Sequence, residues 1–142
     1  MSANTENSLI IAKFGGTSVA DFDAMNRSAD IVLSDSQVRV VVLSASAGVT
    51  NLLVALAEGL PPVERAEHLE KIRQIQHAIL NRLGQPAVIR EEIDRMLDNV
   101  ARLSEAAALA TSNALTDELV SHGELMSTLL FVEILRERSV AA

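Results

Sequence analysis

The sequence predicts an α/β fold, a βαβ unit followed by a mostly helical region, and three observations carry that prediction. Ser8-Leu9-Ile10-Ile11-Ala12 is a short apolar run, and Val38-Arg39-Val40-Val41-Val42-Leu43 is a cluster of β-branched residues of strand length. Between them, Asp21 to Leu33 carries Phe22, Met25, Ala29, Val32 and Leu33 at helical intervals. Beyond Pro61-Pro62 the sequence is almost wholly helical in period. Two strands joined by one helix form a right-handed unit with parallel strands.

The first run reads as a buried strand leading into Lys13-Phe14-Gly15-Gly16-Thr17-Ser18. A cation beside backbone amides laid open by glycine is a place to hold phosphate. The order strand, tight turn, helix aims a helix N-terminus over that turn. The lysine precedes the glycines, and neither GxxxxGK[ST] nor GxGxxG occurs, which excludes a Walker loop and a dinucleotide fingerprint. A plain glycine turn with a solvated lysine fits the hexapeptide equally well. The second strand follows Ser34-Asp35-Ser36 and opens into a small polar loop, Ser44-Ala45-Ser46-Ala47-Gly48-Val49-Thr50-Asn51, then a helix from Leu52 to Leu60. Ligands of open parallel sheets sit beyond the carboxyl ends of the strands, so both loops are expected on one rim.

Pro61-Pro62 ends that helix. Val63 to Leu83 places Ala66, Leu69, Ile72, Ile75 and Ile79 on one stripe, Gly84-Gln85-Pro86 breaks it, and Val88 to Ala110 repeats the pattern through Ile89, Ile93, Met96, Val100 and Leu103. This predicts an antiparallel helical hairpin over residues 61–110, its charges being solvated faces. His68 and His77 are not spaced i,i+4 and show no carboxylate pairing that would mark metal ligands, so no metal site is expected. Met25, Met96 and Met126 read as core filler.

After a linker, Thr111 to Leu115, Thr116 is the expected N-cap of the last helix, with Asp117 and Glu118 at its positive end. Leu119 to Leu135 is apolar on nearly every side, which predicts burial all round. Glu124 lies in its middle. A buried, unpaired carboxylate costs several kcal/mol, so Glu124 needs a polar cleft, a proton or a partner such as a hairpin arginine. Ser121, Ser127 and Thr128 extend it into a polar strip that a cationic ligand group would complete. His122 lies on another side of the helix and reads as structural.

With 142 residues the chain suits one modest domain; three Phe and no Trp or Tyr leave an aliphatic core. The net charge of −7, with no basic stripe, argues against a nucleic-acid partner. The absence of cysteine excludes disulfides and thiolate metal sites. Met1 to Asn7 lacks the pattern of a signal peptide and no run reaches bilayer length, so a cytoplasmic protein without a membrane partner is expected, with residues 1–8 disordered.

The ordered set KFGGTSV from Lys13, VVLSASAGVTN from Val41 and ELVSHGELMS from Glu118 resembles aspartate kinases of the amino-acid-kinase family, its lysine-sensitive members above all. The resemblance runs from about Leu9 to the C-terminus. It implies a carbamate-kinase-like αβα sandwich of which residues 9–142 are the N-terminal portion, the rest of the catalytic domain and the lysine-binding regulatory domains being absent. It implies phosphorylation of the side-chain carboxylate of L-aspartate by ATP with Mg2+, giving 4-phospho-L-aspartate, the entry to lysine, threonine and methionine biosynthesis. Lys13 matches the family lysine on the ATP phosphates. Gly15 and Gly16 match the turn whose amides face the transferring phosphoryl group, with Thr17 and Ser18 completing it. Thr50 and Glu124 match aspartate-binding positions, Glu124 by pairing with the α-ammonium, and Ser44 and Ser46 are further loop contacts. The full-length family is expected to be homo-oligomeric and this piece inactive alone. Two other readings stay open at this point: a related kinase of another carboxylate, and a noncatalytic module binding a partner through its sheet edge and hairpin.

Overall fold

The computed structural model describes residues 8–142, so the disorder expected at the N-terminus falls, Ser8 apart, outside the described residues. Strands β1 (Ile10–Phe14) and β2 (Val38–Leu43) pair in parallel, Ile11 beside Val40, Lys13 beside Val42 and Phe14 beside Leu43. Helix α1 (Phe22–Ser34) makes the crossover; the carboxylate of Asp21 caps it, accepting from the Ala24 N–H at 2.8 Å. Then come α2 (Val49–Ala57), α3 (Pro62–Leu80), α4 (Ala87–Leu109) and α5 (Asn113–Glu137).

β1 runs two residues further than the sequence suggests, so Lys13 and Phe14 lie inside it. It is also less buried than expected: three of its five residues are exposed and none is fully buried. Neighbours in a parallel pair point to the same face and alternate along each strand. Phe14, Val41 and Leu43 therefore pack inward with α1 and α5, Phe14 lying 6.4 Å from the Phe131 ring. Among the described residues no helix lies over the other face, and Leu9 and Ile11 (each 60% exposed), Val40 (42%) and Val42 (43%) stay bare.

The core lies among the helices. Leu53, Leu56, Ile72, Ile93, Val100, Leu119, Met126 and Leu130 are fully buried, aliphatic as the composition requires, with Phe131 the aromatic side chain buried among them. Met25 and Met126 fill the core as expected and Met96 packs at its margin. Gly59 has φ +86, and a Cβ there would sit 2.8 Å from the Ala107 carbonyl, so α2 ends hard against α4.

The hairpin forms at the predicted break, although α3 stops at Leu80 and Ala66 is exposed because the first turns of α3 overhang the core. The Glu137 carboxylate accepts from the Gly84 N–H at 2.9 Å and the Gln85 N–H at 3.3 Å, and the next residue, Arg138, pairs with Asp30 and the Asn26 side chain at 2.6 Å each. His77 does have a carboxylate partner: its Nε2–H donates to Asp94 on α4 at 2.6 Å while its Nδ1 accepts from Arg90 at 3.3 Å.

α5 departs from expectation at two points. Its cap is Ser112, whose hydroxyl accepts from the Leu115 N–H at 3.1 Å; Thr116 lies in the first turn and donates back to the Ser112 carbonyl at 3.1 Å. Serine caps as well as threonine, and nothing in Asn113-Ala114-Leu115 breaks a helix. Nor is α5 buried all round: Glu124, Leu125 (48%) and Thr128 form an exposed flank, while Ser127 is buried on another side. The polar strip is therefore split. Glu124 is solvated and, among the described residues, no hairpin arginine pairs with it. No helix of the described residues is long and apolar enough to cross a membrane.

Candidate functional site

Parallel pairing brings the carboxyl ends of β1 and β2 to one edge, as the two-loop reading requires. After β1 the chain passes through Gly15 into a single 3-10 turn, Gly16–Val19, before α1 begins. The Ser18 N–H closes that turn on the Gly15 carbonyl at 3.1 Å, and the Ser18 carbonyl accepts from the Ser28 hydroxyl at 2.7 Å. After β2, residues 44–48 lead into α2, which starts at Val49, so Thr50 and Asn51 belong to its first turn and not to the loop. Gly48, at φ +88, supplies the left-handed backbone of that entry.

The two loops are stitched together. The Ser44 N–H donates to the Phe14 carbonyl and the Ala47 N–H to the Gly16 carbonyl, both at 3.1 Å. A Cβ on Gly16 would lie 3.0 Å from the Ala45 carbonyl oxygen, so this close approach accounts for Gly16. Gly15 is different: its φ of −79° is ordinary and nothing lies within 4 Å of where its Cβ would be. Neither packing nor backbone geometry requires glycine there, and its effect is to leave the outer side of the turn open.

Between the loops lies a cavity of about 340 Å3, lined by Gly16, Thr17, Ser44, Ser46, Thr50 and Asn51 with Ala45, Ala47 and Gly48. The first intrahelical bond of α2 runs from the Leu52 N–H to the Gly48 carbonyl at 3.3 Å, and no side chain caps the helix. The Thr50 and Asn51 amides precede that bond and have no acceptor within the helix. The Ser46 hydroxyl is buried without a hydrogen-bond partner beside the same space. Small residues, free amides and the positive end of a helix suit an anion there.

The structure thus gathers Gly16, Thr17, Ser44, Ser46 and Thr50 around one cavity, while Lys13, Gly15, Ser18 and Glu124 lie outside its lining. Lys13 is exposed at the end of β1 on the bare sheet face. Glu124 is exposed on α5, which docks on the second loop: the Ser127 hydroxyl donates to the Ser44 carbonyl at 2.6 Å, and Gly123 is buried against Ala45 and Leu53. Asn51 is a lining residue that the sequence reading did not single out; its signal is its place after Thr50 at the start of a helix. Among the described residues no three carboxylates or imidazoles cluster as a metal site needs.

Over residues 8–142 the sequence matches the amino acid kinase family. The chain belongs to that family. This amino acid kinase chain is 78% identical over 134 residues to the lysine-sensitive aspartokinase 3 of Escherichia coli strain K12, a match that covers 94% of this chain and 30% of that protein. Its structure superposes on crystal structures of E. coli aspartokinase III. The complex with lysine and aspartate, in the T-state, gives a TM-score of 0.93 at 77% identity, covering 94% of this chain and 30% of the other. The complex with aspartate and ADP, in the R-state, gives 0.92 at 77% identity, covering 93% and 30%. The chain therefore has the α/β fold of the N-terminal part of that enzyme and spans 30% of the relatives' length.

Proposed function

We propose that this chain supplies the N-terminal portion of the catalytic domain of an aspartate kinase, transferring the γ-phosphoryl group of ATP to the side-chain carboxylate of L-aspartate. The observation that carries this reading is the cavity between the glycine turn and the N-terminus of α2, in a chain 78% identical to an aspartokinase. The reading includes the helical hairpin of residues 61–110 as an insert, a cytoplasmic setting and a homo-oligomer for the full-length enzyme.

The roles follow from chemistry. An ionised carboxylate is already a nucleophile, so no general base is needed: its oxygen bonds to the γ-phosphorus as the bond to the bridging oxygen breaks and ADP leaves. What remains is to align two anions and to spread charge in a loose transition state. Lys13 and the amides of Gly15 and Gly16 take that task, with Thr17 and Ser18 completing the phosphate turn, and the open outer side of Gly15 admits the phosphoryl group. Ser44, Ser46 and Thr50 hold aspartate from the second loop, and solvated Glu124 pairs with its α-ammonium. Magnesium enters with ATP, as the metal–nucleotide substrate complex.

The test is kinetic, in an enzyme made by splicing this chain in place of the matching segment of the E. coli relative. Lys13→Ala lowers kcat by about 100-fold or more with little change in the aspartate KM, as expected for charge met in the transition state. Glu124→Gln instead raises the aspartate KM. An unchanged aspartate KM in Glu124→Gln contradicts the role given to that carboxylate.

A further inference from the structure

We infer that Ser127 and Gly123 are positioning residues, which seat α5 on the Ser44–Ala45 segment and so fix Glu124 relative to Thr50. This deepens the aspartate-binding reading and rests on it. The two residues are one helical turn apart on a single face of α5, both buried, and Glu124 follows Gly123 directly, about 100° further round the helix.

A helical serine commonly turns its hydroxyl back to a carbonyl of its own helix. Ser121 does so to Glu118 at 2.8 Å, and Thr128 does so to Glu124 at 2.8 Å. Ser127 has one proton and two carbonyls in reach; the shorter contact, 2.6 Å, leaves the helix for Ser44, while Glu124 of its own helix is at 3.1 Å. Because the Ser44 amide is already held by the Phe14 carbonyl, Ser127 clamps the start of the loop from its other side. Gly123 sets how close the two surfaces come. A glycine inside a helix is unfavourable by itself. Here an added Cβ would lie 2.9 Å from the Ala45 Cβ, 2.9 Å from Leu53 Cδ1 and 3.3 Å from Val49 Cγ1, which are side chains of the loop and of α2. Moving α5 outward to admit that methyl would carry Glu124 away from the helix that bears Thr50.

The experiment uses the same spliced enzyme and reads KM against kcat for both substrates. Ser127→Ala is expected to raise the aspartate KM about three- to tenfold, the range a lost hydrogen bond allows, while the ATP KM changes by less than about twofold. Gly123→Ala does the same, and adding Ala45→Gly, which removes one of the two methyl groups 2.9 Å from the new Cβ and leaves the flexible end of Leu53 to turn aside, restores part of the loss. A purely structural role predicts a smaller active fraction with both KM values unchanged, and that result overturns the proposal. Should Ser127→Ala fail to fold, the Gly123→Ala and Ala45→Gly pair decides alone, and no recovery in the double variant counts against positioning. Glu124→Gln separates the two readings. If it raises the aspartate KM and neither positioning variant does, only the present proposal fails; if all three leave that KM unchanged, the aspartate assignment falls and this inference with it.

Discussion

Around α2 to α5, Leu53, Ile72, Ile93, Leu119 and Leu130 are sealed from solvent, whereas β1 and β2 present Ile11, Val40 and Val42 to it across one whole sheet face. Both regions are apolar in sequence, and the difference lies in how many faces each has to cover. A helix needs one stripe met by neighbours, and four helices supply one another. A parallel strand needs layers on both sides, and the described residues supply one. The stabilising core therefore belongs to the helices, while the cavity sits on the seam, with one wall from the sheet side at Gly16 and the other from α2.

That contrast can be broken first where it is steepest. Leu53→Ala, a truncation within the sealed core, is expected to cost about 2–5 kcal/mol in urea unfolding. An equally small loss there as on the open sheet face would abolish the distinction. Gly59→Ala comes next, at about 1–3 kcal/mol, because it combines a left-handed backbone with the contact to the Ala107 carbonyl. Gln76 sharpens the contrast from within: its amide is buried in the helical region with neither atom hydrogen-bonded. Gln76→Leu should raise stability by about 1 kcal/mol, since it removes unpaired polar atoms, and a decrease would mean that the amide is satisfied in solution. At the small end, Val42→Thr on the bare face should shift the unfolding midpoint by no more than about 0.5 kcal/mol equivalent.

The parts of this molecule that were legible in its sequence share a cause: each depended on residues close along the chain. The crowd of β-branched residues marked β2, the prolines and glycines marked the hairpin, and the parallel-sheet rule put the Lys13 turn and the Ser44 loop on one rim. The failures involve pairings at a distance or competition between equal local signals. Ser112 and Thr116 are both good caps, and only the fold shows which is used. The apolar count around α5 averaged away an exposed flank because Leu125, itself exposed, was counted as core. His77 meets Asp94 across two helices, and Ser127 meets Ser44 across 83 residues, neither of which a pattern of near neighbours reveals. At the site, the convergence of the two loops was anticipated, and it brings Gly16, Thr17, Ser44, Ser46 and Thr50 around one cavity. The solvated state of Glu124 was not, since burial depends on which neighbours the helix acquires.

The grip of Glu137 and Arg138 at the far end of α5 bears on how that helix turns. These adjacent residues hold different elements, the amides of the hairpin tip on one side and α1 on the other. Any roll of α5 about its axis must stretch one of the two attachments. Glu124 stands thirteen positions earlier, about 20 Å along the axis. The azimuth of a carboxylate at the middle of the rod is thus held by torque-bearing contacts at its end as well as by the seat of Ser127 and Gly123 beside it, and loosening the far contacts would let it swing without touching any residue near the cavity.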